Sequence, residues 1–170
     1  NNGATAVRPA FNLDLRSVLF TSAANGGKPE GGLQTISDYE GDEWKLTLLD
    51  SNRQFIVMES DVSGKPGDTI SLNYTGAITG QDEYISVLLT DQQNNILYYG
   101  RVAQPDNESG TVEVTIPTDL VDGTYTLNVF SEQYNGDYKT DYASEFEEIT
   151  LTVIGEDKTA PILTAGNVNR

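Results

Sequence analysis

Thr111-Val112-Glu113-Val114-Thr115-Ile116 alternates strictly between polar and apolar residues and stops at Pro117, which has no N–H to give to a sheet. That rhythm sets Val112, Val114 and Ile116 on one face of a strand and leaves the other face to water. The same period of two runs through Thr69–Tyr74, where Ile70, Leu72 and Tyr74 share a side, and through Glu148–Ile154, where Ile149, Leu151 and Val153 do. Tyr84–Thr90 and Ile96–Val102 flank Asp91-Gln92-Gln93-Asn94-Asn95 as a hairpin, and Gly123–Phe130 supplies a further strand. Short strands about 8 to 12 residues apart with turn signals between them predict a β-sandwich. Nothing reads as a long helix. Tyr142–Glu148 offers at most one turn before a β-branched run.

The first 58 residues are less regular. Val18-Leu19-Phe20 predicts a strand, and the glycine-rich stretch from Asn25 to Gly32 predicts a mobile loop, since its glycines and Pro29 oppose both helix and ladder. Trp44–Leu49 and Gln54–Val57 flank Asp50-Ser51-Asn52-Arg53, which predicts a hairpin burying Trp44, Leu46, Leu48, Phe55 and Val57 on one face. The expected organisation is therefore an ancillary β segment over 1–58, possessed of that hairpin and closing an upstream module or packing on the sandwich. A β-sandwich over 59–155 follows, then a linker and the start of a following module over 156–170.

Composition removes whole classes of function. With 10 Lys and Arg against 26 Asp and Glu the formal charge is -16, so the chain repels phosphate backbones and nucleic acid is not an expected partner. There is no cysteine and no histidine, which excludes disulfides, thiolate nucleophiles and His-based triads. No apolar stretch approaches the roughly 18 to 20 residues of a membrane span. Residues 59–155 carry most of the acid, so the expected sandwich bears a self-repelling, solvent-facing surface.

Asp122-Gly123-Thr124-Tyr125-Thr126-Leu127-Asn128-Val129 resembles the tyrosine corner of immunoglobulin-like domains, in which a tyrosine early in strand F returns its hydroxyl to an upstream backbone group. Tyr125 is that tyrosine, and Leu127 stands where antibody domains place a disulfide cysteine. With neither the cysteine pair nor a tryptophan on the third strand, the resemblance is to bacterial Ig-like domains. Lys65-Pro66-Gly67-Asp68-Thr69 is similar to the start of the repeated Ig-like modules of bacterial surface proteins. Val7–Leu15 is similar to a segment that closes an upstream module in exported Firmicutes proteins, and Lys158-Thr159-Ala160-Pro161 resembles the start of a further module. The resemblance covers 59–155. It implies an all-β, Ig-like β-sandwich in a modular, extracellular, cell-surface or wall-associated protein, whose partners are neighbouring modules, an extracellular glycan, or a host or cell-wall protein.

The residue types bear on four chemistries. Sugar binding by ring stacking and amide or carboxylate hydrogen bonds points to Tyr134, Asn135, Asp137, Tyr138 and Tyr142, with Tyr98 and Tyr99 as further aromatics. Calcium points to Asp137 with Asp141, or Asp106 with Glu108, but neither follows an EF-hand spacing, so solvated loop acids and no metal are expected. Glycoside hydrolysis needs two facing carboxylates, and the acids here alternate onto exposed faces, so neither catalysis nor a cofactor is expected. Residues 146–154 contain no Asn, which argues against a Lys–Asn crosslink to the last strand. The expectation is a non-catalytic Ig-like module acting as spacer or adhesion element, the alternative being a carbohydrate-binding module appended to a larger extracellular enzyme.

Overall fold

The computed structural model describes residues 14–36, 39–137 and 139–155, so Val7–Leu13 and the expected linker after Gly155 lie outside it. The described chain is all-β: one 3₁₀ turn, Leu15–Ser17, precedes twelve strands. These are β1 (Val18–Ala23), β2 (Gln34–Thr35), β3 (Trp44–Leu49), β4 (Ile56–Val57), β5 (Asp61–Gly64) and β6 (Thr69–Thr75), then β7 (Glu83–Thr90), β8 (Ile96–Ala103), β9 (Gly110–Thr115), β10 (Gly123–Gln133), β11 (Thr140–Ala143) and β12 (Glu147–Val153).

Two sheets form. The smaller is β4-β6-β9, all antiparallel. The larger runs β1-β3-β11-β10-β7-β8-β2, with β12 also paired to β10 and β5 paired parallel to β12. The alternating runs of the sequence supply the facing surfaces. Ile70 and Leu72 of β6 and Val112 and Val114 of β9 pack against Val87 and Leu89 of β7, Leu127 and Val129 of β10, and Ile149 and Leu151 of β12. The chain crosses between sheets after β9, and there the Tyr125 hydroxyl donates to the Val121 carbonyl at 2.9 Å.

β10 is long because it serves two partners. Its first part, Gly123 to Val129, pairs with β12, and its end, Glu132 and Gln133, pairs with β11. Between those partners the chain bends at Ser144, whose N–H donates to the Ser131 carbonyl at 2.9 Å while its Oγ accepts from the Ser131 N–H at 3.1 Å. The edge of β11 left free by β10 takes β3 in parallel, and β3 takes β1 antiparallel. The large sheet curls so that β1 covers the face of β7, β8 and β10 turned away from the small sheet. A second apolar cluster fills that space, with Phe20 set 5.7 Å from Phe130 and 6.1 Å from Tyr99 between ring centroids. Every residue of β7 is buried for this reason, since both of its faces are covered.

The hairpin expected across Asp50–Arg53 does not form. β3 lies in the large sheet and β4 in the small one, and the six residues 50–55 carry the chain from one to the other. The expected buried face of β3 is also inverted: Lys45 and Thr47 are 3% and 0% exposed, whereas Trp44 is 48% exposed. Apolar periodicity identifies the inner face only when that face is apolar, and the surface awaiting β3 is charged. Phe55 and Val57 are buried as expected, but in the sandwich core rather than beside β3. Strands from both sides of residue 58 share both sheets.

The glycine-rich stretch is a fitted strap rather than a free loop. Pro29 accepts from the Arg101 N–H at 3.1 Å and Gly31 donates to the Arg101 carbonyl at 3.0 Å, which lays the segment along β8. A Cβ at Gly100 would sit 2.1 Å from the Gly32 carbonyl oxygen, so the close approach requires glycine there.

Leu127→Ala removes a fully buried side chain from the inter-sheet core and is expected to cost about 2–5 kcal/mol. Tyr125→Phe deletes one hydrogen bond and is expected to cost about 1 kcal/mol. Urea melts compared at a common slope measure both.

Candidate functional site

The polar interior of the curled sheet is the most unusual part of the molecule. β3 contributes Lys45 and Thr47, β8 Arg101, β10 Glu132, β11 Asp141 and the glycine strap Lys28. The side chains of Lys28, Lys45, Glu132 and Asp141 are each no more than 5% exposed. Lys28 Nζ donates to Glu132 Oε1, to Asp141 Oδ2 at 2.8 Å and to Thr47 Oγ1 at 2.5 Å. Lys45 Nζ donates to Asp141 Oδ1 at 2.9 Å, and the Asn135 N–H donates to the same oxygen at 3.0 Å. Glu132 Oε2 accepts from the Tyr99 hydroxyl at 2.5 Å and from Ser86 Oγ at 2.7 Å. The Arg101 guanidinium spans both acids at 3.4–3.5 Å.

Aromatic rings complete the shell. Phe20 lies 4.8 Å from Lys28 Nζ, Tyr134 lies 4.3 Å from Lys45 Nζ and 5.0 Å from the Arg101 guanidinium, and Tyr84 lies 4.7 Å from Arg101. Three cations face two carboxylates, and the negative ring faces offset the surplus positive charge. Burial by itself would raise the Asp141 pKa. The Lys28 charge and the hydrogen bonds from Lys28, Asn135 and Lys45 outweigh it and hold the carboxyl below its ordinary range. Burial, reinforced by the Glu132 charge, pushes the Tyr99 hydroxyl well above its ordinary value, so Tyr99 stays a proton donor.

A second buried pair lies nearby. Arg53 forks onto Glu83, NH1 to Oε2 at 2.7 Å and NH2 to Oε1 at 3.0 Å, and NH1 also donates to Ser131 Oγ at 3.1 Å. It fixes the crossing between the sheets at Asp50–Arg53.

The residues singled out for sugar binding do not share one platform. Tyr134 is half-buried with its ring over Lys45 and Arg101. Asn135 is exposed, and its side chain donates to Thr140 Oγ1 at 3.1 Å. Asp137 is exposed and closes its own loop, accepting from the N–H groups of Lys139 and Thr140 at 2.8 Å each. Tyr142 is 36% exposed on β11, and Tyr138 lies outside the described residues. Tyr98 and Tyr99 are core side chains. Asp141, one half of a suggested calcium pair, faces the lysines while Asp137 faces its loop. Among the described residues no three acids come together in a way that could hold a metal ion.

Sequence reasoning missed a cleft of about 440 Å³ between β1 and β2, the two ends of the large sheet, lined by Phe20, Ser22, Asn25, Gln34, Trp44 and Tyr99 among others. Trp44 meets Tyr39 edge to face at 4.8 Å at its rim. The only signal available was the single tryptophan of the chain, which its alternation assigned to the core. Comparison with known proteins adds nothing to this geometry: no family model matches the chain, and no curated protein does. Among the described residues no helix is long and apolar enough to cross a membrane.

Arg53→Ala leaves Glu83 buried without its partner and is expected to lower stability by about 3–5 kcal/mol. Urea denaturation checks this. The N–H groups of Thr140 first and Lys139 next hold the Asp137 pKa below its ordinary value. A pKa depressed by folding means that the contribution of this carboxylate is present above the unfolded-state value and is lost as pH falls through the folded one. Carbon-detected NMR titration is expected to place Asp137 below a typical aspartate, and Thr140→Pro to move it back up.

Proposed function

We propose that this chain is a non-catalytic, Ig-like module of a bacterial cell-surface protein, held extracellularly and acting as a spacer or adhesion element between neighbouring modules. The observation that carries the reading is the pairing of β4-β6-β9 against β5-β12-β10-β7-β8 across one apolar core, with the Tyr125–Val121 bond at the crossing between sheets. Order and crossing together support the reading as an Ig-like sandwich without the disulfide. The chemistry agrees with a structural role. The described lining of the aromatic cleft between β1 and β2 contains no carboxylate, and the acids that are brought together, Glu132 and Asp141, are enclosed and engaged by cations. A spacer needs resistance to pulling apart, and ion pairs that tie β3 and the strap to the main sheet supply it.

One observation favours carbohydrate binding as a second reading. Trp44 is half-exposed at the rim of a cleft that also presents Asn25 and Gln34, which is the mixture of ring face and amide groups that sugars bind. A glycan array decides between the two. The spacer reading expects no binding above background. Binding that is lost in Trp44→Ala, with the melting temperature unchanged, would replace it with the carbohydrate-binding reading and move the site from the Tyr134 loop to the cleft.

A further inference from the structure

Lys28 Nζ touches two carboxylates that differ in how their remaining atoms are held, and the difference assigns them different chemistry. Glu132 has its Oε2 fixed by the neutral hydroxyls of Tyr99 and Ser86, with Arg101 Nε farther off at 3.5 Å, and turns Oε1 to the lysine. Asp141 has its Oδ1 fixed within 3.0 Å by Lys45 and the Asn135 N–H and turns Oδ2 to the lysine, with Arg101 NH2 at 3.4 Å. Two donors on one carboxylate oxygen, one of them a cation, form a cradle for negative charge developing on that oxygen. A carboxylate fixed at one end with its other oxygen against an amine is placed to carry protons.

We propose that Lys28 and Asp141 condense to an intramolecular amide, with Glu132 relaying the protons. Glu132 Oε1 takes a proton from the Lys28 ammonium, and the freed Nζ lone pair attacks Asp141 Cγ. The resulting oxyanion rests on Oδ1 between Lys45 and the Asn135 N–H. The two ammonium protons that the amide does not keep pass through Glu132 to Oδ2, the Cγ–Oδ2 bond breaks, and Oδ2 leaves as water. One C–N bond forms and one C–O bond breaks, nothing is oxidised or reduced, and Glu132 ends in its starting state. No co-reactant is required.

Condensation of an amine with a carboxylate is uphill between separate molecules in water. Here both groups are held in contact, which is equivalent to local concentrations of roughly 10⁵–10⁸ M when the alignment suits reaction. The reactants are also two desolvated ions and the product is one neutral group, so reaction relieves the burial penalty that the ion pair carries. Lys45 touches the same aspartate without touching Glu132, so it has the electrophile and no relay, and serves the oxyanion instead. The product joins the glycine strap to β11 covalently and closes a loop across a sequence separation of 113 residues, so that β3, which lies inside the loop, cannot be drawn off by a pull on the chain ends without breaking it.

Intact mass spectrometry of the purified, cooperatively melting chain tests this directly. The expected mass is lower than that of the sequence by one water, and proteolytic fragments should contain a branched peptide joining Lys28 to Asp141. Lys28→Arg and Asp141→Ala should each show the full mass of their own sequence. Asp141→Asn should lose one ammonia in place of one water. Glu132→Gln, if it folds, should drop the linked fraction to about a tenth or less, as removal of a proton relay requires. A folded wild-type chain with its full sequence mass overturns the proposal, as does a branch mapped to Lys45 or to Glu132. Full linkage in a folded Glu132→Gln overturns the role of Glu132. The wild-type measurement stands whether or not any variant folds.

Discussion

Five ionised side chains removed from water inside one curled sheet constrain everything around them. Each of Lys28, Lys45, Arg101, Glu132 and Asp141 gives up hydration worth several kcal/mol, and only mutual contact at full hydrogen-bonding geometry returns it. That requirement fixes where four strands and a strap must lie. β3 must present Lys45 and Thr47 inward, β11 must sit beside it to offer Asp141, and the strap must run along β8 closely enough for Lys28 to reach past Phe20. An apolar interface tolerates sliding by one residue pair at moderate cost. A charged one does not, because a shifted register strands a buried charge.

The partner switch along β10 is the structural device that makes room for this interior. Up to Val129 the strand belongs to a two-sheet sandwich, with its inward side chains packed on the small sheet. At Glu132 it belongs to a different neighbourhood, paired with β11 and turned toward the lysines. The bend at Ser144 separates the two regimes, and its two bonds to Ser131 satisfy the backbone groups that the change of partner would otherwise leave open. The N-terminal strands are therefore attached to an extension of one sheet, with Phe20, Phe130 and Phe146 filling the space beneath them.

Legibility in the sequence divides along the same line. In β6, β9 and β12 the buried side is apolar, so a period of two reports it faithfully, and the hairpin of β7 and β8 falls where the turn at Asp91–Asn95 indicates. In β3 the same rule returns the wrong face, since it treats Lys45 and Thr47 as solvated and Trp44 as core. Nothing local distinguishes a lysine bound for water from one bound for a distant aspartate. The charged site was hidden for the same reason: Lys28, Lys45, Arg101, Glu132 and Asp141 are scattered along the chain and meet only through pairings between strands that are remote in sequence. Tyr134 and Asp137 were conspicuous as loop residues, yet one serves as a lid over cations and the other as a turn former.

The interior also changes what the net charge means. Lys28, Lys45, Arg53 and Arg101 are all withdrawn from the surface, whereas among the described acids only Glu83, Glu132 and Asp141 are. The described interior is thus net positive, and the rest of the chain carries slightly more than the full formal charge of -16. Among the described residues the large sheet ends at β1 and β2, edges open to pairing with a second copy, and edges of this kind are ordinarily blunted by charge. Placing cations inside and leaving acids outside achieves that with the same residues that hold the N-terminal strands in place. Internal cohesion and external repulsion therefore follow from one partition of charge.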